Sequence, residues 1–483
     1  MGAADDLIEN LTFDELRIDQ RAQASRTLTM ADIQAFALVS GDVNPAHVDT
    51  EYAEGTRFHG VIAHGMWAGA LISSLLGTEF PGPGTIYLSQ DLHFHRPVRV
   101  GDTLTVVATV RAKDAATRHV TLACEVLNQH GEAVVTGQAL VKAPAAKVVR
   151  PRVAMPTLHL FDPEARLAAW VQQLATGPQR GAAVPCAVVH PCDETSLRGA
   201  LEAAAHGLIV PRLLGPAARL QALAQALGLS LDGVAIDDMP HSHAAAAQAA
   251  ELAARGEVAM LMKGSLHTDE LMHAVVSEPR LRTGRRLSHV FRFEVPTYDR
   301  PLLVTDAAIN IAPTLMDKAD IVRNAIDLAR ALGVARPNVA VLSAVEVVTP
   351  RLQSTLDAAA LCKMADRGQI SGAVLDGPLA FDNAISAEAA RMKGIASPVS
   401  GVVDILVVPD LESGNMLAKQ LDYLAGAASC GVVLGARVPI ALTSRADSAA
   451  SRLASAALAA LVAWRAGDTT ATGTPPAAPE HGA

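Results

Sequence analysis

Aromatic side chains are scarce in this 483-residue sequence, at 3 % of positions, although half of it is apolar. Alanine carries much of that apolar share, so the chain reads as globular rather than greasy. No window reaches the roughly 20 consecutive apolar residues that a spanning helix needs. The richest, "LASAALAALVAW" at Leu453–Trp464, is flanked by Arg452 and Arg465 and reads as a buried helix. A membrane is therefore not an expected partner. An excess of basic charge is also missing: the net charge is −9. That disfavours general nucleic-acid binding and leaves room for anionic small ligands, which need only a local basic pocket. Cysteine is sparse, at Cys124, Cys186, Cys192, Cys362 and Cys430, with no C-x-x-C pair. An odd count in that spacing argues against a disulfide framework and against a structural zinc site. The N-terminal stretch "MGAADDLIENLTFDEL" is acidic, with neither a basic nor an apolar leader segment. A cytoplasmic protein is expected.

At this length the chain exceeds one ordinary core, and a prior of about 150 residues per domain suggests about three compact units. Texture divides it. The first region opens with "TLTMADIQAFALVSG", a helix with Thr29 as its N-cap. "VIAHGMWAGALISSLLG" follows, a nearly all-apolar run that predicts a helix buried on all sides. Four β-type segments come next: "TIYLSQDLHFHRPV", "DTLTVVATVRAKD", "RHVTLACEVLNQ" and "EAVVTGQALVKA". One buried helix before an antiparallel meander predicts a sheet wrapped around that helix. "APAAKVVRPRVAMPT" reads as a Pro/Ala/basic linker. Beyond it, short apolar runs such as "CAVVH", "NVAVLSAVEV" and "VDILVVPDL" alternate with helical stretches. That rhythm predicts a mostly parallel sheet with helices on both faces. The tail "GDTTATGTPPAAPEHGA" has the composition of a disordered segment.

Chemistry concentrates first in "VSGDVNPAHVD", where Asp42 and His47 stand five residues apart across an Asn-Pro turn. Turn residues alone explain such a stretch, but its neighbours argue for more. "FALVSGDVNPAHVD", "FHGVIAHGMWAGALIS" and "LHFHRPVRVGDTL" together resemble the MaoC-type, R-specific enoyl-CoA hydratases of the hot-dog fold. The resemblance covers about residues 15–143. It implies an α+β hot-dog domain, placed at 11–143, with Asp42 and His47 as the catalytic dyad and Asn44 on the substrate side. Addition of water across an enoyl thioester needs a base for the water and an acid for C2, and an Asp–His pair around one water supplies both. The Gly65 amide, at the start of the apolar helix, is the candidate oxyanion donor. His64 reads as a structural, hydrogen-bonded histidine. His93 and His95 share a face, and a metal is not expected there or elsewhere. The family implies pairing of units, hence a homodimer or higher homo-oligomer.

No P-loop and no dinucleotide-binding glycine fingerprint occur in the second region. "LMKGSLHTDELMHAV", "LRTGRRLSHVF", "VTDAAINIAPTL", "DGPLAFDNAIS", "PDLESGNMLAKQL" and "PIALTSRADSA" instead look like the phosphate acetyl/butyryltransferases. That resemblance spans nearly all of residues 155–466, places the domain at 158–466, and implies two α/β lobes around a cleft, a three-layer, mostly parallel architecture. The linker is then residues 144–157 and the tail 467–483. By motif match Ser444 and Arg445 lie at the acyl-phosphate site, with Ser265 and Asn415 in matching substrate-binding loops. The family's acidic residue after Ser-Arg aligns with Ser451, which is not acidic; Asp447 is the nearer carboxylate. The implied substrates are acyl-CoA and phosphate or acyl phosphate, with no further cofactor. The joint expectation is a bifunctional enzyme: trans-2-enoyl-CoA to (R)-3-hydroxyacyl-CoA, and acyl transfer between CoA and phosphate. The alternatives are a hydratase on a catalytically silent CoA-binding scaffold, and a small domain that only binds acyl-CoA.

Overall fold

The computed structural model describes residues 7–153, 162–443 and 447–471, with backbone only from 467 onward. The chain divides into two compact units, Met1–Leu160 and Phe161–Ala483.

The first unit runs β1 (Leu7–Glu9), β2 (Arg21–Thr27), α1 (Met30–Ser40), α2 (Pro45–Val48), α3 (Thr50–Glu54), α4 (Gly65–Thr78), β3 (Ile86–Gln90), β4 (His93–Phe94), β5 (Thr103–Asp114), β6 (His119–Leu127), β7 (Ala133–Lys142) and β8 (Val149–Pro151). Helix α1 starts where the sequence places it. Thr29 and Asp32 form a reciprocal capping box, and Gly41 closes the helix in the left-handed region at φ 75°. The antiparallel sheet has the order β2-β5-β6-β7-β3, with β4 also on β7. Along β5 and β6 every second residue is buried: Leu104, Val106, Ala108 and Val110, then Val120, Leu122, Cys124 and Val126. These pack in one core with Trp67, Ala68, Ile72, Leu75 and Leu76 of α4. Each such aliphatic side chain contributes about 1.5–3 kcal/mol by leaving water.

Two expectations are corrected. The apolar run does not make a helix buried all round: α4 begins at Gly65, and its other face, with Met66, Ser73 and Ser74, is exposed. Small residues there made the run look uniformly apolar although only one stripe meets the sheet. The stretch read as a linker also carries structure, since Val149–Pro151 pairs antiparallel with Leu7–Glu9. Asn10 clamps it through bonds to Ala146 O and the Val148 amide. The side chains of that strand are exposed, so no alternation betrays it.

The second unit comprises α5 (Pro163–Thr176), β9 (Val184–Val189), α6 (Glu194–Ala205), β10 (Ile209–Gly215), α7 (Ala217–Leu227), β11 (Ala235–Asp238), α8 (Ser242–Arg255), β12 (Met260–Lys263), α9 (Thr268–Ser277), β13 (Ser288–Glu294), β14 (Leu302–Thr305), α10 (Leu315–Ala331), β15 (Asn338–Leu342), α11 (Gln353–Asp366), β16 (Val374–Leu379), α12 (Phe381–Ile385), α13 (Ala387–Met392), β17 (Ile405–Val407), α14 (Leu411–Tyr423), β18 (Ala428–Leu434), β19 (Ile440–Ala441) and α15 (Ala449–Ala471). Its strands form one sheet in the order β11-β10-β9-β12-β19-β18-β13-β14-β17-β15-β16. The arms β11-β10-β9-β12-β19 and β14-β17-β15-β16 are parallel, and antiparallel β18 and β13 join them. Parallel strands buried on both faces explain the short continuous apolar runs. Helix α15 is buried along Ala454–Leu461, as its flanking arginines suggested, and continues to Ala471, inside the expected tail. Residues 472–483 lie outside the described residues. No described helix is long and apolar enough to cross a membrane.

Candidate active sites

The first site forms where the Gly41–Asn44 turn meets the entrance of α4. Ligand-capable atoms of Asp42, His47 and His64 all lie within 4.8 Å of one another. This is also the one cluster among the described residues with metal-binding potential, and it does not include His93 or His95. Three local features bring it about. Asn44 caps α2 by accepting the Ala46 N–H at 3.1 Å, and Pro45 opens that helix. The Asp42 carboxylate accepts the Asn44 N–H at 3.2 Å and is otherwise exposed. His47 Nδ1 lies 2.8 Å from the Ile62 carbonyl oxygen. A carbonyl only accepts, so Nδ1 carries the proton, and Nε2 of the neutral ring keeps its lone pair for a proton from elsewhere.

Below the cluster, α4 starts at Gly65 with no side-chain cap from His64, so its first turn presents backbone amides and the positive dipole end. Gly65 borders a cavity of about 300 Å³ together with His47, Trp67, Phe94, Arg57 and Arg96. A Cβ on Gly65 would stand 3.1 Å from Phe94 Cε1, so glycine here leaves the backbone open to close approach. Thus Asp42 and His47 meet beside His64, and His47 and Gly65 border one cavity, whose lining does not include Asp42. Asn44 is spent on the turn. His93 stands exposed near Asp91, and His95 Nε2 pairs with Thr136 Oγ1 at 2.7 Å.

In the second unit a cavity of about 860 Å³ opens at the end of β12, beside the antiparallel junction. Such positions, outside strand carboxyl ends where the topology switches, are where open α/β sheets take ligands. Its walls include Lys263, Phe291, Asn415, Thr443, Asp422 and Asp447. Lys263 is buried, with Nζ 3.3 Å from Thr443 O. Asn415, in the second turn of α14, donates from Nδ2 to Ala307 O at 3.3 Å.

Ser265 is not among the residues lining this cavity. Its hydroxyl donates to His190 O and accepts the Cys192 N–H, which ties the β12 loop to the β9 loop. Gly264 is needed for the same approach: a Cβ there would stand 2.4 Å from Val189 O. Ser444 and Arg445 lie outside the described residues. Ser451 is buried, and its hydroxyl faces Ser448 Oγ at 3.3 Å.

Asp422 was not singled out in the sequence. It sits near the end of α14, and burial raises its carboxyl above the usual range, with the Asp447 charge adding and Ser429 and Lys419 opposing. No sequence signal marks it, because only the fold sets the end of α14 beside the start of α15. His289 is the other surprise. Wholly buried on β13 and edge-on to Phe291 at 4.2 Å, its imidazole is pushed down to about 3 by burial.

Comparison with known proteins follows the same division. A family model described as MaoC like domain matches residues 15–130, and one described as Phosphate acetyl/butaryl transferase matches residues 241–460. A phosphate acetyltransferase of Rhizobium meliloti is 62% identical over 279 residues, which is 58% of this chain and 88% of that protein. A branched-chain phosphotransacylase from Enterococcus faecalis superposes with a TM-score of 0.51 at 29% identity, covering 58% of this chain and 99% of its own. R-hydratase PhaJ1 from Pseudomonas aeruginosa is 42% identical, with a TM-score of 0.32, covering 32% of this chain and 99% of its own.

Proposed function

Because this chain belongs to the phosphate acetyl/butyryltransferase family and carries a MaoC-like domain ahead of its transferase domain, we propose that it performs two reactions on acyl-CoA. In the first domain water adds to a trans-2-enoyl-CoA to give the (R)-3-hydroxyacyl-CoA. In the second an acyl group passes between CoA and phosphate.

The observation that carries the first reaction is the convergence of Asp42 and His47 over the amino end of α4, beside a cavity. One water held between the carboxylate and His47 Nε2 loses a proton to this pair as its oxygen bonds to C3. The pair returns a proton to C2, so the sum is simple addition of water. Charge that builds on the thioester oxygen meets the Gly65 amide and the helix dipole. The thioester lies along the cavity mouth, where glycine lets it reach the backbone.

For the second reaction, a phosphate oxygen attacks the thioester carbonyl carbon and the CoA thiolate leaves; the reverse step needs a base for the thiol. By its motif Arg445 neutralises phosphoryl oxygens with its fork of N–H donors, with Ser444 beside it. Asp422 is the group best suited to take the thiol proton, since its raised carboxyl is nearer in affinity to a thiol than an ordinary aspartate. Burial does most of this, and Asp447, on the same cavity wall, adds to it. Neither step calls for a metal or a further cofactor. Two copies pairing through the exposed apolar side chains Ile86, Leu88 and Phe94 complete the smaller domain as a homodimer.

The test is to incubate the full chain with trans-2-butenoyl-CoA and resolve the product by chiral chromatography. The (R)-3-hydroxy thioester is expected; the S enantiomer, or no product, overturns the first assignment.

A further inference from the structure

His64 joins every part of the first site, yet no step of the proposed reaction uses it. It is 3 % exposed at the N-cap of α4. Its Nε2 lies 2.8 Å from the Asp42 main-chain oxygen, and since a carbonyl only accepts, Nε2–H is the donor. Its ring lies 4.0 Å from the His47 ring, tilted by 34°. Its other nitrogen, Nδ1, is buried with no hydrogen-bond partner. A histidine kept only for packing would leave no polar atom orphaned, because an apolar ring of similar size would cost less.

The turn it holds is poorly secured otherwise. Residues 41–44 are all exposed, and Gly41 is in the left-handed region. The contacts within the turn are local: Asp42 N–H to Ser40 Oγ, Val43 N–H to Gly41 O and Asn44 N–H to the Asp42 carboxylate. At its ends the Gly41 N–H bonds Ala37 O of α1 and Asn44 O accepts the His47 N–H of α2, but none of these bonds reaches α4. The bond from His64 does, and His64 is covalently next to Gly65. One side chain therefore ties the main chain at Asp42 to the start of α4, while the bond from His47 Nδ1 to Ile62 O holds the other imidazole beside it.

We propose that His64 is the positioning residue of the hydratase site, acting through the Asp42 carbonyl and the face of His47 rather than on the substrate. The inference rests on the hydratase reading of this domain. A displacement of about 1 Å at a reacting group costs on the order of 100-fold in rate, so loss of this tether lowers kcat while leaving acyl-CoA binding in place.

Two variants of the full chain test it. His64→Leu keeps bulk and removes the donor; His64→Gln keeps an amide N–H that reaches the same carbonyl. Hydration of trans-2-butenoyl-CoA is measured as kcat and KM, with the melting curve as a check on folding. Expected are a fall in kcat of about 10–100-fold for His64→Leu with KM within about threefold, and recovery of most of kcat in His64→Gln. Equal losses in both variants, or a kcat for His64→Leu within about twofold of the parent, overturn the positioning role. If His64→Leu does not fold, His64→Gln decides alone: near-parental kcat supports the donor role and a large loss refutes it. A parent chain that hydrates nothing overturns the hydratase reading itself, a result distinct from an active parent indifferent to His64.

Discussion

Replacing Asp42 by Asn and His47 by Asn, singly and together, asks whether the two side chains act on one water. Asp42 is exposed, and the only hydrogen bond to its carboxylate among the described residues, the Asn44 N–H at 3.2 Å, survives in Asp42→Asn through the remaining carbonyl oxygen. Stability should therefore change by no more than about 0.5 kcal/mol. In His47→Asn the side-chain amide sits where Nδ1–H stood and keeps the bond to the Ile62 carbonyl, while the Nε2 lone pair is lost. Each single change should lower the hydration kcat by about 10²–10⁴-fold, or about 3–5 kcal/mol of transition-state stabilisation. Groups that share one proton-transfer event do not add. The double variant should thus fall within about tenfold of the worse single one, where independent action would multiply the losses. The assay follows the loss of enoyl-thioester absorbance. Multiplying losses, or an Asp42→Asn rate within about twofold of the parent, would refute the shared-water argument.

Other outcomes follow from the same structure. Gly65→Ala puts a methyl group 3.1 Å from the ring of Phe94, which is itself exposed and able to shift; melting should barely change, while hydration kcat falls about tenfold as the thioester is pushed off the amide. The Asp422 carboxyl is raised by burial first and by Asp447 next, against Lys419 and Ser429, with Lys263, His267 and Glu412 also on the cavity wall. A base works only when unprotonated, so transfer from acyl phosphate to CoA, where the thiol must lose its proton, should fail on the acid side. Asp447→Asn removes a negative neighbour and should move that acid limb to lower pH; a stationary limb, or one moved upward, would exclude Asp422 as the base. His289 titrates near 3 when buried and near 6.5 when unfolded, so the native state binds fewer protons and stability is lost as pH falls below 6.5 toward 3. Between pH 7 and 5 this costs about 2 kcal/mol, and denaturant melts of His289→Phe should show a correspondingly smaller drop across that interval.

Where side-chain pattern and backbone coincide, the sequence was readable. Thr29 with Asp32 marks the start of α1, and alternation along Leu104–Val110 marks a half-buried strand. The Asp42–His47 spacing was legible because both residues come from one short turn whose geometry Asn44 and Pro45 dictate locally. The face of α4 was not, because small exposed residues such as Ser73 and Ala70 look core-like in a row of apolar neighbours. Strand Val149–Pro151 was hidden because it pairs through backbone alone, with no buried side chain to impose a period. Asp422 and His289 were invisible for a different reason: their properties come from burial under segments distant in sequence, with Asp447 adding for one and Gly431 packed against the other. Ser265 shows the reverse case, a motif residue whose hydroxyl is committed to His190 and Cys192 in the interior rather than to the cavity.

The central claim is that one chain carries two separate acyl-CoA chemistries. It is tested most directly by titrating free thiol released from acetyl-CoA and butyryl-CoA by the Asp42→Asn full chain, with and without inorganic phosphate. Thiol that appears at the parental rate and only with phosphate is the predicted result. No phosphate-dependent release from any short acyl-CoA, by this variant or the parent, would contradict it and leave the large domain a silent scaffold.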